Sequence, residues 1–223
     1  AWTGEEWVDS VLEPGNVVVF SIREIERTDK TIQATLDRIP EVQGALMAID
    51  NRSGAIKAMV GGFDFQQSEF NRATQASRQP GSNIKPFIYS AALDNGFTAA
   101  TLVSGAPIVV KDDLGDTWRP QNYSKKVFGP TRLRKALTLS LNLVSVRLVR
   151  ALGTEFIIDH LEQFGFDSEH LPRGLSLALG SASLTPMEMA RAYSIFANGG
   201  YLIEPYFIAR VEDQNGEIKE YAN

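Results

Sequence analysis

The chain has 223 residues, with 22 basic and 27 acidic side chains and a formal net charge of −5; 43% of its residues are hydrophobic and 22% charged. That balance supports a folded core and excludes a disordered or fibrous chain, and the mild acidic excess without a block of like charges argues against a nucleic-acid surface. With no cysteine, disulfides, thiolate metal sites and thiol catalysis are excluded, and no apolar run approaches the roughly 20 residues that cross a bilayer.

Ala1–Ser10 carries Glu5, Glu6 and Asp9, where an export signal would be basic and then apolar. Val17–Ile25 (VVVFSIREI), turn residues Arg27-Thr28-Asp29-Lys30 and the alternating Thr31–Arg38 (TIQATLDR) predict a small β-hairpin. Beyond Pro40, Ala45–Asp50 (ALMAID), the Asn51–Gly54 turn and Ala55–Val60 (AIKAMV) predict a second hairpin ending at Gly61-Gly62. Its near-continuous hydrophobicity implies strands covered on both faces. From Gly81 the pattern turns helical, at Asn83–Leu93, Leu133–Ser140, Val144–Leu152, Glu155–Phe164 and Thr185–Ala197, the last closed by Asn198-Gly199-Gly200. Strand character returns at Tyr201–Glu212, and Asn215-Gly216 is a hairpin turn leading into a return strand at Glu217–Tyr221. A return strand at the very end, with few partners upstream, predicts a sheet that continues beyond these residues.

The most informative segment is Arg78–Phe87 (RQPGSNIKPF). Pro80 and Gly81 stop the preceding loop, a helix starts at or beside Ser82, and Pro86 is tolerated in the first turn. Ser82 and Lys85, three apart, then share a face. A serine hydroxyl needs a base to take its proton, and a lysine is that base only where burial or a neighbouring cation lowers its pKa. The helix N-terminus adds N–H groups able to hold an oxyanion. Alone, Ser-x-x-Lys is a weak motif, and its bland reading is a capping serine beside a solvated lysine. Ser140-Leu141-Asn142 adds a hydroxyl and an amide two residues apart, while Phe70–Ala76 (FNRATQA) and Gly180-Ser181 through Thr185-Pro186 extend the pattern.

On these stretches, FNRATQASRQPGSNIKPF, LRKALTLSLNLVSVRL and LALGSASLTPMEMARAYSIFANGG, with the ALMAIDNRSGAIKAMVGG hairpin, the chain resembles the transpeptidase domain of class A penicillin-binding proteins. The resemblance implies an α+β fold, a mainly antiparallel sheet flanked by helices. It implies D,D-transpeptidation of peptidoglycan stem peptides: Ser82 the acylated nucleophile, Lys85 its base, Ser140 the proton relay to the leaving group, and Asn142 the ligand of a substrate carbonyl that also orients Lys85. β-Lactams would acylate the same serine, no metal or organic cofactor is needed, and the domain would face the periplasm or outer side of the bacterial inner membrane. A hydrolysing relative such as a D,D-carboxypeptidase, and a non-catalytic β-lactam sensor or scaffold, are the rival readings.

No Lys-Thr/Ser-Gly occurs in the chain, although the family carries one on a later strand lining the site. The resemblance therefore implies that residues 41–223 are the N-terminal part of a transpeptidase domain, completed by a second fragment bearing that motif, with a membrane anchor outside this chain. Residues 1–40 form a β-rich segment, either the returning edge of an oligonucleotide-binding-like insertion or an extension of the sheet. Trp118 and Tyr123 in DTWRPQNY are candidates to line the cleft, with packing the equal alternative. His160 and His170 lack metal-ligand spacing and read as solvated. Lys125, Lys126, Arg132, Arg134 and Lys135 read as ordinary surface, with contact to anionic stem-peptide carboxylates the weaker option.

Overall fold

The computed structural model describes residues 11–26, 28, 30–111 and 117–221. Ala1–Ser10, Arg27 and Asp29 of the first turn, and Asp116 of the DTWRPQNY stretch lie outside them. The chain forms two compact units, 1–43 and 44–223.

In the first unit β1 (Val19–Glu26) pairs antiparallel with β2 (Thr31–Asp37), with a shift in register between Ile22 and Glu24. Ser21 Oγ donates to Asp37 across the pair at 2.5 Å. The ribbon leaves Phe20, Ile22, Ile25 and Ile32 exposed.

The second unit is built around helices. The segment preceding the first of them is a 3₁₀ turn, Gly81–Ile84, that runs into α1 (Lys85–Asp94). Gly81 takes φ +56°, which a side chain would disfavour, and Pro86, lacking an N–H, sits in the first turn of α1 where no intrahelical donor is needed. Phe87 anchors α1 in an aromatic cluster, edge-on to Phe164, Phe166 and Tyr193 at ring separations of 5.0–5.1 Å. Around α1 pack α2 (Leu133–Thr138), α3 (Asn142–Leu152), α4 (Thr154–Glu162) and α5 (Pro186–Ala197), burying Ile88, Val144, Leu148, Ile157, Leu161 and Leu177 completely or nearly so. α5 starts with a capping box: Thr185 Oγ1 accepts from Glu188 N–H, and the Glu188 carboxylate accepts from Thr185 N–H.

The strands of this unit are short and antiparallel. β3 (Leu46–Ile49) pairs with β4 (Ile56–Val60), β5 (Leu102–Ser104) with β8 (Pro130–Arg132), β6 (Val110–Lys111) with β7 (Thr117–Trp118), and β9 (Arg210–Glu212) with β10 (Ile218–Tyr221). The hairpins expected at Asn51–Gly54 and Asn215-Gly216 are both present, but strand structure in Tyr201–Glu212 is confined to β9 and a single parallel bridge from Tyr206 to Ala55.

Two expectations are corrected. β3 and β4 are not covered on both faces: Leu46 and Val60 are 55% and 53% exposed, because α5 packs on β3 while the outer edge of the ladder has no neighbouring strand among the described residues. His160 is not solvated. It is buried between α4 and α1, with Nε2 3.1 Å from Ser90 Oγ and Nδ1 3.4 Å from Asp94. Desolvation lowers its pKa, the nearby Asp94 opposing that effect. His170 and the basic residues 125, 126, 132, 134 and 135 are exposed, as the sequence reading expects.

Candidate active site

Ser82 and Lys85 lie three apart across the 3₁₀ turn, where side chains at that spacing eclipse one another. The turn is pinned from two sides. Lys85 N–H donates to Ser82 O, and Tyr193 Oη, on α5, donates to Asn83 O at 2.9 Å. Beneath it, Gly180 accepts from Gly81 N–H at 3.3 Å. Two more backbone bonds join Arg78 and Leu184, at 2.9 and 3.0 Å. A Cβ on Gly180 would stand 2.1 Å from Gly81 O, so only glycine permits this approach. Ser82 itself is exposed, and its Oγ has no hydrogen-bond partner among the described residues.

Lys85 is 1% exposed, among the largest fully buried side chains of the described residues. Its Nζ lies 2.7 Å from Ser140 O, 3.0 Å from Ser140 Oγ and 2.7 Å from Asn142 Oδ1. Ser140 reaches it through an uncommon backbone. α2 ends in a Schellman motif, Leu141 N–H donating to Ala136 O and Ser140 N–H to Leu137 O, with Ser140 itself at φ +51°. Glycine is the usual occupant of that position, and serine there costs about 1 kcal/mol. The left-handed turn is what lets one residue present both its carbonyl and its hydroxyl to the same nitrogen.

Asn142 opens α3, and its Nδ2 donates to Gln121 O at 2.8 Å, which leaves Oδ1 for Lys85. Two of the three groups around Nζ, the Ser140 carbonyl and Asn142 Oδ1, can only accept, while the Ser140 hydroxyl can accept or donate. A charged ammonium satisfies all three with its three N–H groups. A neutral amine satisfies the two obligatory acceptors with its two N–H groups and keeps its lone pair for a hydroxyl. Both protonation states therefore fit.

Burial lowers the Lys85 pKa from 10.5 to about 8. No carboxylate among the described residues pairs with it to oppose that effect. At pH 7 roughly one molecule in ten would hold the free amine, against roughly one in three thousand at the ordinary value. A free amine held this way can accept a proton from a hydroxyl brought to it and exchange one with Ser140 Oγ, 3.0 Å away.

Residues 44–222 match the family described as penicillin binding protein transpeptidase domain. The chain belongs to that family. Among curated relatives it is 54% identical over 187 residues to penicillin-binding protein 1A of Pseudomonas aeruginosa, covering 83% of this chain and 23% of that protein. To the Escherichia coli protein of the same name it is 50% identical over 187 residues, covering 83% of this chain and 22% of the relative. The chain thus spans under a quarter of the length of these relatives. Among solved structures, penicillin-binding protein 1A from Haemophilus influenzae aligns with a TM-score of 0.81 at 43% identity, over 88% of this chain and 29% of that one. PonA1 from Mycobacterium tuberculosis in complex with penicillin V aligns with a TM-score of 0.69 at 26% identity, over 81% of this chain and 51% of that one. The class A penicillin-binding transpeptidase resemblance and the α+β fold read from the sequence both hold.

Within this transpeptidase domain, Lys85, Ser140 and Asn142 converge on one hydrogen-bonded centre, with Ser82 one turn away. Trp118 is half-buried and packs against the core, whereas Tyr123 is fully exposed. Sequence reasoning missed Asn122, and it singled out Gly180-Ser181 without the packing role of Gly180. Asn122 is 4% exposed and sits in the loop that also supplies the Gln121 carbonyl. One signal for it was available: the residue preceding α3 is Leu141, which has no side-chain acceptor for the free N–H groups of a helix start, so a polar partner must come from elsewhere. Gly180, at φ +73°, lies in a stretch the sequence reading singled out, but its close approach to Gly81 is visible only in the fold.

Proposed function

We propose that this chain carries the acyl-transfer centre of a peptidoglycan D,D-transpeptidase. The observation that carries the reading is the buried Lys85, held by two obligatory acceptors and a hydroxyl, one turn from an exposed serine. Lys85 Nζ takes the proton of Ser82 Oγ as that oxygen bonds to the carbonyl carbon of the penultimate D-Ala of a stem peptide. The C–N bond to the terminal D-Ala then breaks, and the proton passes from Lys85 through Ser140 Oγ to the departing amine. An amine of a neighbouring stem attacks the Ser82 ester in the second half-reaction, returning the proton along the same path and freeing Ser82. A β-lactam forms the same ester by opening its ring, without losing a leaving group.

Asn142 serves twice, its Oδ1 on Lys85 and its amide near the substrate carbonyl. In this reading Tyr123 lends an exposed ring to the substrate and Trp118 stiffens the wall behind it. The remainder of the site, including a Lys-Thr-Gly strand, belongs to a further segment of the same protein. The domain works outside the cytoplasmic membrane; among the described residues no helix is long and apolar enough to cross a membrane.

The test is intact-mass measurement and peptide mapping of the full-length protein after incubation with a penicillin, together with D-Ala release from a pentapeptide substrate with and without an acceptor amine. One adduct on the peptide containing Ser82, lost in Ser82→Ala, and acceptor-dependent cross-linked product are expected. Acceptor-independent hydrolysis alone would make the protein a carboxypeptidase, and an adduct without D-Ala release would make it a sensor.

A further inference from the structure

Asn122 lies outside the four residues that form the centre, yet it is one of the few buried polar side chains in the domain. Its two ends hold different parts of the fold. Oδ1 accepts from Leu143 N–H at 3.3 Å, capping the first turn of α3 where Leu141 cannot. Nδ2 donates to Lys126 O at 2.8 Å, and the Asn122 carbonyl accepts from Lys125 N–H at 2.9 Å, closing the loop on itself. Pro120 is buried on the other side of Gln121. The Gln121 carbonyl is therefore held between two fixed points, and it is the acceptor for Asn142 Nδ2.

An amide side chain has two ends of nearly equal shape, and only its partners decide which one points where. At Asn142 the choice matters. With Oδ1 toward Lys85 the nitrogen finds an acceptor. With Nδ2 toward Lys85, donor would face donor, and the Gln121 carbonyl would face Oδ1, acceptor against acceptor. We propose that Asn122 is a positioning residue for the acyl-transfer reaction: by clamping the Gln121–Lys126 loop to the start of α3 it holds the Gln121 carbonyl against Asn142 Nδ2, and so makes Asn142 present its oxygen to Lys85. Among the described residues Asn122 makes no hydrogen bond to Ser82 or Lys85, and it acts through Asn142. The inference rests on Lys85 being the base.

The test is the second-order rate constant for acylation of the full-length protein by a penicillin, measured from pH 6 to 10, for the wild type, Asn122→Ala and Asn122→Ser. The serine variant keeps a neutral hydroxyl near Leu143 N–H and guards against a misfolded alanine variant. Folding is checked by melting temperature and by one-to-one adduct formation at long incubation. With the clamp loosened, Asn142 samples the reversed amide, which withdraws an acceptor from the ammonium form of Lys85. Acylation is then expected to fall about 10- to 100-fold on the plateau, with its pH inflection moving to the acid side, and the serine variant falling between alanine and wild type. A merely structural Asn122 would lower the melting temperature and leave the inflection in place. Folded variants whose profiles superimpose on the wild type, in rate and inflection, would overturn the proposal while leaving the base assignment intact. A wild type that forms no adduct on Ser82 at any pH would instead overturn the acyl-transfer reading on which the inference rests, and the clamp with it.

Discussion

Gly180→Ala is the perturbation that most sharply tests how Ser82, the proposed nucleophile, is held. Gly180 stands at φ +73°, and a Cβ there would meet Gly81 O at 2.1 Å, and Gly81 C and N at 2.6 Å. Two costs follow. The left-handed backbone costs an L side chain about 1–2 kcal/mol. The clash is separate and larger in consequence, since the atoms in the way are backbone and cannot rotate aside; restoring ordinary contact requires Gly81 to retreat by roughly 1 Å, and Ser82 follows it directly in the chain. A displacement of about 1 Å at a reacting group costs on the order of a hundredfold in rate. Gly96→Ala is the control. Gly96 has φ +82° at the end of α1 and nothing within 4 Å of its virtual Cβ, so it bears the backbone cost without the clash. Acylation of the full-length protein by a fluorescent penicillin, with melting temperature in parallel, separates the two. Both variants are expected to lose stability, but only Gly180→Ala should lose about a hundredfold in acylation rate, with Gly96→Ala within about twofold of wild type. Equal acylation rates in the two variants would refute the idea that Gly180 holds the serine turn in place.

Ser140→Gly relieves the left-handed strain at φ +51° while deleting the hydroxyl that faces Lys85. Stability by thermal melting should rise by up to about 1 kcal/mol, while acylation falls by about 10- to 1000-fold. For His160, burial lowers the folded-state pKa below 6.5, so the unfolded chain binds more protons and stability is lost as the pH falls through 6.5. The melting temperature should therefore drop between pH 7.5 and 5.5, and the drop should be smaller in His160→Gln, which does not titrate.

The local chemistry of the site was open to sequence reading, and its tertiary consequences were not. Pro80-Gly81 and Pro86 bracket a turn whose residues can hardly do anything else, so Ser82 and Lys85 could be placed on one face before any fold was known. Whether Lys85 was solvated or buried was not decidable there, because its burial depends on helices that begin more than 45 residues later. Asn122 was hidden for the same reason: it caps a helix start 21 positions away. Gly180 looks like any turn glycine until Gly81 is seen against it. The misreading of His160 was avoidable. Ile157 and Leu161 on α4 and Phe164 just past its end recur at helical spacing and are all buried, and His160 lies three residues beyond the first of them and four before the last, inside that stripe. At β3 and β4 the reading failed for a different reason: a continuous apolar strand implies cover on both faces only where other elements lie against each face, and among the described residues these two strands pair only with each other.

In the proposed reaction a buried Lys85, able to lose its own proton, takes the proton of Ser82. The most direct measurement is the rate of penicillin acylation of the Ser82 peptide in the full-length protein, followed by mass spectrometry from pH 6 to 10. With Lys85 lowered to about 8, the rate should climb close to tenfold per pH unit at the acid end and level off above that value, and Lys85→Ala should abolish the climb together with nearly all of the rate. A rate that is flat across this range, or a climb that survives in Lys85→Ala, would contradict it.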